Sequence, residues 1–231
     1  MGIATVRACA LVVGVFAGCM AGCADGAPEP RMQSPAAGAP QPSSAAMQPA
    51  HVRPVDATAL GVSWRPGCPV PPADLRRITL SYIGFDGRSH QGELVVHRDA
   101  VSDVIGIFGD LYAARFPIEK IRTVENYPRA DDELSMQDNN TSAFNCRSLA
   151  NGSWSLHAYG RAVDVNPLIN PFISASGELQ PTTARKYLDR TRADQGMIRD
   201  GDVVVRAFGE RGWRWGGHWR DPVDYQHFER R

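Results

Sequence analysis

The chain has 231 residues, with 25 Lys+Arg against 25 Asp+Glu, so it carries no net charge near neutral pH. No field of one sign is available to gather nucleic acid, and no dense basic run is present. The length holds one domain plus tails, and 43% hydrophobic with 22% charged residues suits a soluble globular protein.

The N-terminus departs from that average. After Arg7 an apolar run covers residues 8–22, with no charge until Asp25. It is too short for a comfortable membrane span, which needs roughly 20 apolar residues. A single upstream cation and a small-residue end fit an export signal over residues 1–23. Ala17-Gly18-Cys19 and Ala21-Gly22-Cys23 both resemble the acylation site of a bacterial lipoprotein, without the preferred Leu three residues upstream. Cys23 is the expected lipidation site, since it leaves the longer apolar core and borders a polar stretch. Cys19, or an ordinary cleaved signal, is the alternative. An acyl anchor contributes about 0.8 kcal/mol per buried methylene. The expected location is therefore the cell envelope, membrane-anchored and facing the wall, or secreted.

Residues 24–56 are mostly Pro, Ala, Gly, Ser and Gln, too poor in apolar surface to offset ordering entropy, and predict a disordered tether. The folded domain is expected over residues 57–231. Residues 80–85 and 92–97 read as strands flanking the turn dipeptide Asp86-Gly87, a β-hairpin. Asp99 is the expected cap of a helix reaching Phe116, with Val101, Val104, Ile105, Phe108, Leu111 and Tyr112 at helical spacing. Pro117 ends it. A strand is predicted over residues 118–127, a loop over the acidic and Asn-rich 131–140, and a strand over 161–165. Helices follow at 182–192 and 203–212, and a last strand at 225–229. Strands and helices mix without βαβ alternation, which predicts an α+β class.

With Cys9 inside the signal, an exported chain retains Cys68 and Cys146, which allow one intramolecular disulfide. The chain-entropy account gives a bridge of this separation up to roughly 4–5 kcal/mol. A zinc role for Cys146 is the less favoured alternative, because no second thiolate lies at ligand spacing.

The chemistry-bearing residues lie late in the chain. His157 and Asp164 are seven positions apart, a spacing that suits a loop-borne His followed by a strand-borne Asp, with Gly160 permitting the turn between them. His227 arrives from the far end, and Asp224 precedes it by three positions. Two imidazoles and a carboxylate close three corners of a zinc tetrahedron and leave one open for water, with Asp224 left to handle protons.

Ser155-X-His157-X-X-Gly160-Arg161-Ala162-X-Asp164, with the terminal Asp224-X-X-His227-Phe228-Glu229, resembles the D-alanyl-D-alanine carboxypeptidase/endopeptidase family of zinc peptidases, the VanY-like M15 group. Arg65-Pro66-Gly67-Cys68-Pro69, Gly92 to His97 and Asn145-Cys146-Arg147 extend the resemblance toward an actinobacterial branch, over roughly residues 64–230. It implies a small antiparallel sheet carrying the zinc site, flanked by helices, of the Hedgehog/DD-peptidase type. It also implies His157, Asp164 and His227 as Zn2+ ligands and Asp224 as general base. Many carboxypeptidase members have Glu at that base position. Asp resembles instead the branch that cuts L-alanyl-D-glutamate links, so the bond cut stays open between D-Ala-D-Ala and L-Ala-D-Glu. Arg147 is the expected oxyanion-steadying and substrate-binding cation, with Arg129 and Arg161 as alternatives. Ser155 is expected to hydrogen-bond within the site.

Rival readings are weaker. His218 lacks a carboxylate three positions before it, where Trp215 stands; His51, His90 and His97 have no expected metal role. Trp213, Trp215 and Trp219 are expected to pack the core or shape a cleft wall. A serine-hydrolase reading of Ser155, His157 and Asp164 fails for want of a Gly-X-Ser-X-Gly elbow, and no His-Glu-X-X-His is present. The expected protein is a monomeric, wall-directed zinc peptidase acting on peptidoglycan stem peptides. The alternative is a catalytically inactive zinc-stabilised wall-binding module.

Overall fold

A computed structural model describes residues 46–149 and 151–231. The expected signal 1–23, its Cys19 and Cys23, and the tether up to residue 45 lie outside the described residues. The remainder of the expected tether is corrected at its end: β1 (His51–Pro54) pairs antiparallel with a neighbouring strand, setting Val52 against Ile78. All four of its residues are exposed, so no apolar alternation marks them in the sequence. An edge strand is held by ladder hydrogen bonds, and Pro54 at its end needs no donor there. Asp56 then caps the short α1 (Ala57–Leu60), its Oδ1 accepting from Ala59 N at 2.7 Å.

The expected hairpin is present and longer than predicted. β2 (Leu75–Ile83) and β3 (Ser89–His97) pair from Leu75–His97 to Ile83–Ser89, giving the sheet order β1-β2-β3. Ile78, Leu80, Leu94 and Val96 meet Val104, Ile107, Phe108 and Leu111 of α2 (Val101–Ala113) in the main core. Asp99 does not cap α2. It lies in a 3-10 turn, Arg98–Ala100, where its carboxylate meets His97 Nδ1 at 2.6 Å and pairs with Arg161. The helix therefore starts at Val101, and it ends three residues before Phe116.

The next expectations are corrected too. The predicted strand 118–127 shrinks to β4 (Lys120–Ile121), parallel to β5 (Asn140–Thr141), followed by 3-10 turns at Val124–Asn126 and Pro128–Ala130. The predicted acidic loop contains α3 (Asp132–Gln137), capped by Asp131, whose Oδ1 accepts from Leu134 N at 3.0 Å. Its acidic residues are first-turn residues of a helix, where negative charge is favourable.

Short elements build the rest: β6 (Ala162–Asp164), β7 (Phe172–Ile173), β8 (Leu179–Gln180), α4 (Val203–Gly209), β9 (Arg214–Trp215), β10 (Val223–Asp224) and β11 (His227–Glu229). The expected helix 182–192 is a 3-10 segment, Thr182–Leu188. Two small antiparallel sheets form, β6-β11-β9 and β10-β7-β8. Phe208 of α4 stacks on Phe228 of β11 at 4.0 Å between ring centroids, which seats the first sheet on the main core. The mixture of small antiparallel sheets and helices is compatible with α+β. Among the described residues no helix is long and apolar enough to cross a membrane.

Candidate metal centre

His157 sits in a 3-10 turn, Leu156–Tyr159, opened by Ser155, whose Oγ accepts from His157 N at 3.3 Å. Gly160 closes the turn with φ +66, and a Cβ there would lie 2.5 Å from His97 N, so glycine is required twice over. The chain then enters β6, where Asp164 pairs across to His227 of β11. Partners in such a register lie about 5 Å apart at Cβ. The antiparallel pairing therefore brings together two residues 63 positions apart in sequence.

Three ligand atoms converge. His157 Nε2 lies 3.1 Å from Asp164 Oδ2 and 3.2 Å from His227 Nδ1, while His227 Nδ1 lies 2.9 Å from Asp164 Oδ1. All three residues are buried, and one atom from each lies within 4.8 Å of the others. A tetrahedral zinc with bonds of about 2.0–2.1 Å separates its ligands by roughly 3.3 Å, and each imidazole nitrogen lies near that distance from the other and from one Asp164 oxygen. The far nitrogens are held as metal-ligating histidines require. His157 Nδ1 donates to the Ala143 carbonyl at 2.5 Å, and His227 Nε2 faces Glu229 Oε2 at 3.4 Å. With those protons placed outward, three lone-pair-bearing atoms face one another, an arrangement that a cation relieves. Without a cation a proton serves: burial alone would lower the His227 pKa, but Asp164 and Glu229 raise it to about 10. Burial opposes the charge of Asp164, yet His157 and His227 hold its pKa far below the ordinary carboxylate range.

Asp224 stands beside this group and has a different environment. Burial pushes its pKa up to about 7, with Asp164 adding to the rise and His227 and Arg147 opposing it. Its Oδ1 is buried without a hydrogen-bond partner. An unpartnered buried carboxylate oxygen is costly unless something is meant to occupy it. Gly216 allows this placement, since a Cβ there would meet Asp224 O at 2.7 Å and Asp224 Cβ at 2.8 Å.

Arg147 lies within electrostatic reach of the same acids. Burial works against its charge, but Asp132, Asp164 and Asp224 together raise its pKa. Its Nε is 2.9 Å from Asp132 Oδ2, an ion pair without an aligned hydrogen bond. Of the alternatives, Arg161 is engaged by Asp99, and Arg129 is highly exposed near Asp131. Cys68 and Cys146 form the expected disulfide, with Cα atoms 5.9 Å apart, which leaves no thiolate for metal.

Trp213 and Trp215 are core residues, whereas the half-buried Trp219 packs its ring 5.5 Å from that of His227. His218 faces Asp200 at 2.8 Å and His90 faces Asp86 at 2.9 Å, both outside the metal group. Glu229 and the Ala143 carbonyl were not among the expected site groups. Glu229 was legible in principle, because residues two apart on a strand share a face.

Residues 149–230 match a family described as D-alanyl-D-alanine carboxypeptidase, which supports the M15 peptidases and a peptidase activity. The matched stretch contains His157, Asp164, Asp224 and His227. No curated protein and no solved structure matches the chain.

Proposed function

We propose that this chain is a zinc peptidase that hydrolyses peptide bonds in peptidoglycan stem peptides, at D-Ala-D-Ala or L-Ala-D-Glu links. The observation that carries the reading is the buried Asp224 Oδ1, unpartnered beside three convergent ligand atoms. A site whose only task was to hold a metal has no use for such an acid.

His157, Asp164 and His227 would hold the ion, while the Ala143 carbonyl and Glu229 fix the two imidazole tautomers. Zinc, when bound, supplies a Lewis acid that polarises the scissile carbonyl and acidifies water. Asp224 accepts the water proton as the water oxygen bonds to the carbonyl carbon. It then returns that proton to the amine nitrogen as the C–N bond breaks. Arg147 steadies the developing oxyanion. Ser155 acts through His157, whose backbone N donates to its hydroxyl. The chain works as a monomer outside the membrane, anchored through Cys23 or released, with no nucleic-acid partner.

Zinc-loaded protein should release fragments from peptidoglycan and stop when chelator is added. Asp224→Ala should keep its zinc and lose about 10²–10⁴ in turnover. Full activity in that variant would remove Asp224 from the mechanism. A zinc-bound wild type that cuts no defined muropeptide would indicate the inactive wall-binding module instead.

A further inference from the structure

A cleft of about 530 Å³ is lined by Arg147, which lies within electrostatic reach of Asp164 and Asp224, and by five further charged side chains: Arg65, Arg129, Asp131, Asp132 and Glu133. Each of the acids already has a partner. Asp131 caps α3, and Asp132 pairs with Arg147 and receives Asn145 Nδ2 at 3.4 Å. Glu133 accepts from Thr182 N at 2.7 Å and from Gln137 Nε2 at 2.9 Å. The arginines are less committed. Arg65 gives one nitrogen to the Cys146 carbonyl at 2.5 Å and lies over Trp154. The Arg129 side chain is 84% exposed, with Asp131 near it at 3.9 Å. Arg65 and Arg129 therefore keep guanidinium donors to spare in this cleft, beside the polar side chains of Ser148 and Gln180.

The backbone gives Arg129 a fixed position. Arg129 (φ 59, ψ 22) and Ala130 (φ 53) are consecutive left-handed residues, neither of them glycine. Each such residue costs on the order of 1–3 kcal/mol, and they persist where the surroundings over-determine them. Asn145 supplies the clamp: its Nδ2 donates to the Ala130 carbonyl at 3.2 Å, and its backbone N donates to the His157 carbonyl at 3.3 Å. One residue thus ties the Arg129 turn to the turn that carries a candidate zinc ligand.

The geometry points to Arg129 as a specificity residue that, flanked by Arg65, receives a carboxylate of the peptide substrate away from the bond being cut. A guanidinium fork binds a carboxylate by two parallel N–H···O bonds and has no acceptor to offer a carboxamide in return. This inference rests on the peptidase reading and refines its substrate: an acidic stem peptide is preferred to its amidated form.

The test uses zinc-loaded wild-type protein and two defined stem peptides, one with a free D-glutamyl carboxyl and one carboxamidated there. We expect kcat/KM to favour the acid at least tenfold, mainly through KM. Arg129→Asn, chosen because Asn tolerates the left-handed region, should bring the acid-to-amide ratio toward one. Arg129→Lys, which keeps the charge and loses the fork, should give an intermediate ratio. A wild-type ratio near one overturns the inference and needs no variant to fold; so does a ratio that Arg129→Asn leaves unchanged. Calorimetric binding of both peptides separates this from failure of the proposed function. Tighter binding of the acid without cleavage would sink the peptidase reading alone, whereas cleavage of both without preference would sink the Arg129 assignment alone.

Discussion

The β2–β3 hairpin with α2 and the segment from β5 to β11 are held in shape by different forces. In the first, Ile78, Leu80, Leu94, Val96, Ile107 and Phe108 are buried against one another. In the second, strands are two or three residues long and polar side chains bond directly to backbone. Asn170 Nδ2 serves the carbonyls of Val165, Asn166 and Gly196, while its Oδ1 accepts from Arg190 and from Ile198 N. Asn166, left-handed with φ 46 two positions after the end of β6, donates to Pro117 O and accepts from Glu119 N. Apolar burial is non-directional and builds a platform. Hydrogen bonds fix distance and angle, and a metal site needs both.

Paired substitutions break this contrast most sharply. Phe108→Ala opens a cavity in the platform and should cost about 3–5 kcal/mol in urea unfolding. Asn170→Ala removes few atoms but strands buried donors and acceptors at about 1–3 kcal/mol. It should also weaken zinc retention more, per kcal/mol lost, than Phe108→Ala. Equal zinc loss at equal destabilisation would mean that the polar network is ordinary scaffold.

A second effect concerns the charge buried in the irregular half. In chelated protein burial raises the Asp224 pKa to about 7, well above the ordinary carboxylate range. The folded state therefore binds a proton there that the unfolded chain has released. That contribution is full below about pH 4 and lost as pH rises through about 7, by a few kcal/mol at most. Asp224→Asn should flatten this part of the pH–stability curve. An unchanged slope would place the effect on another group.

Smaller again is the effect of the tautomer-fixing carboxylate. Burial opposes the Glu229 charge, but His227 and Arg214 lower its pKa, so it stays ionised opposite His227 Nε2. Glu229→Gln should weaken zinc binding by roughly 10–100-fold. Competition against a chelator of known affinity measures this, and an unchanged affinity would show that strand pairing alone sets the His227 ring.

The two halves also differ in how far the sequence exposes them. The hairpin was legible because apolar residues on its strands bracket Asp86-Gly87, and α2 because its apolar positions repeat at helical spacing. The candidate ligands were legible through residue type and order, with β6–β11 pairing supplying the convergence that order alone does not show. β1 was hidden because it buries nothing, and α3 because the acids that favour its N-terminus look like a solvated loop. Asn145, Asn166 and Asn170 were hidden for another reason. Most of their partners are backbone atoms, which leave no trace in side-chain pattern.

Ser155 shows how fine the lower limit of that legibility is. The motif placed it in the site, but its hydroxyl accepts from His157 N, and its own N donates to the Arg147 carbonyl at 3.2 Å. One residue thus links the turn carrying His157 to the segment carrying Arg147. Ser155→Ala keeps the backbone bond to Arg147 and loses only the cap, worth about 1 kcal/mol. The expected result is a modest fall in stability and a parallel fall in zinc affinity, with KM for the stem peptide unchanged. A rise in KM at full zinc occupancy would instead make Ser155 a substrate contact, and its cap to His157 incidental.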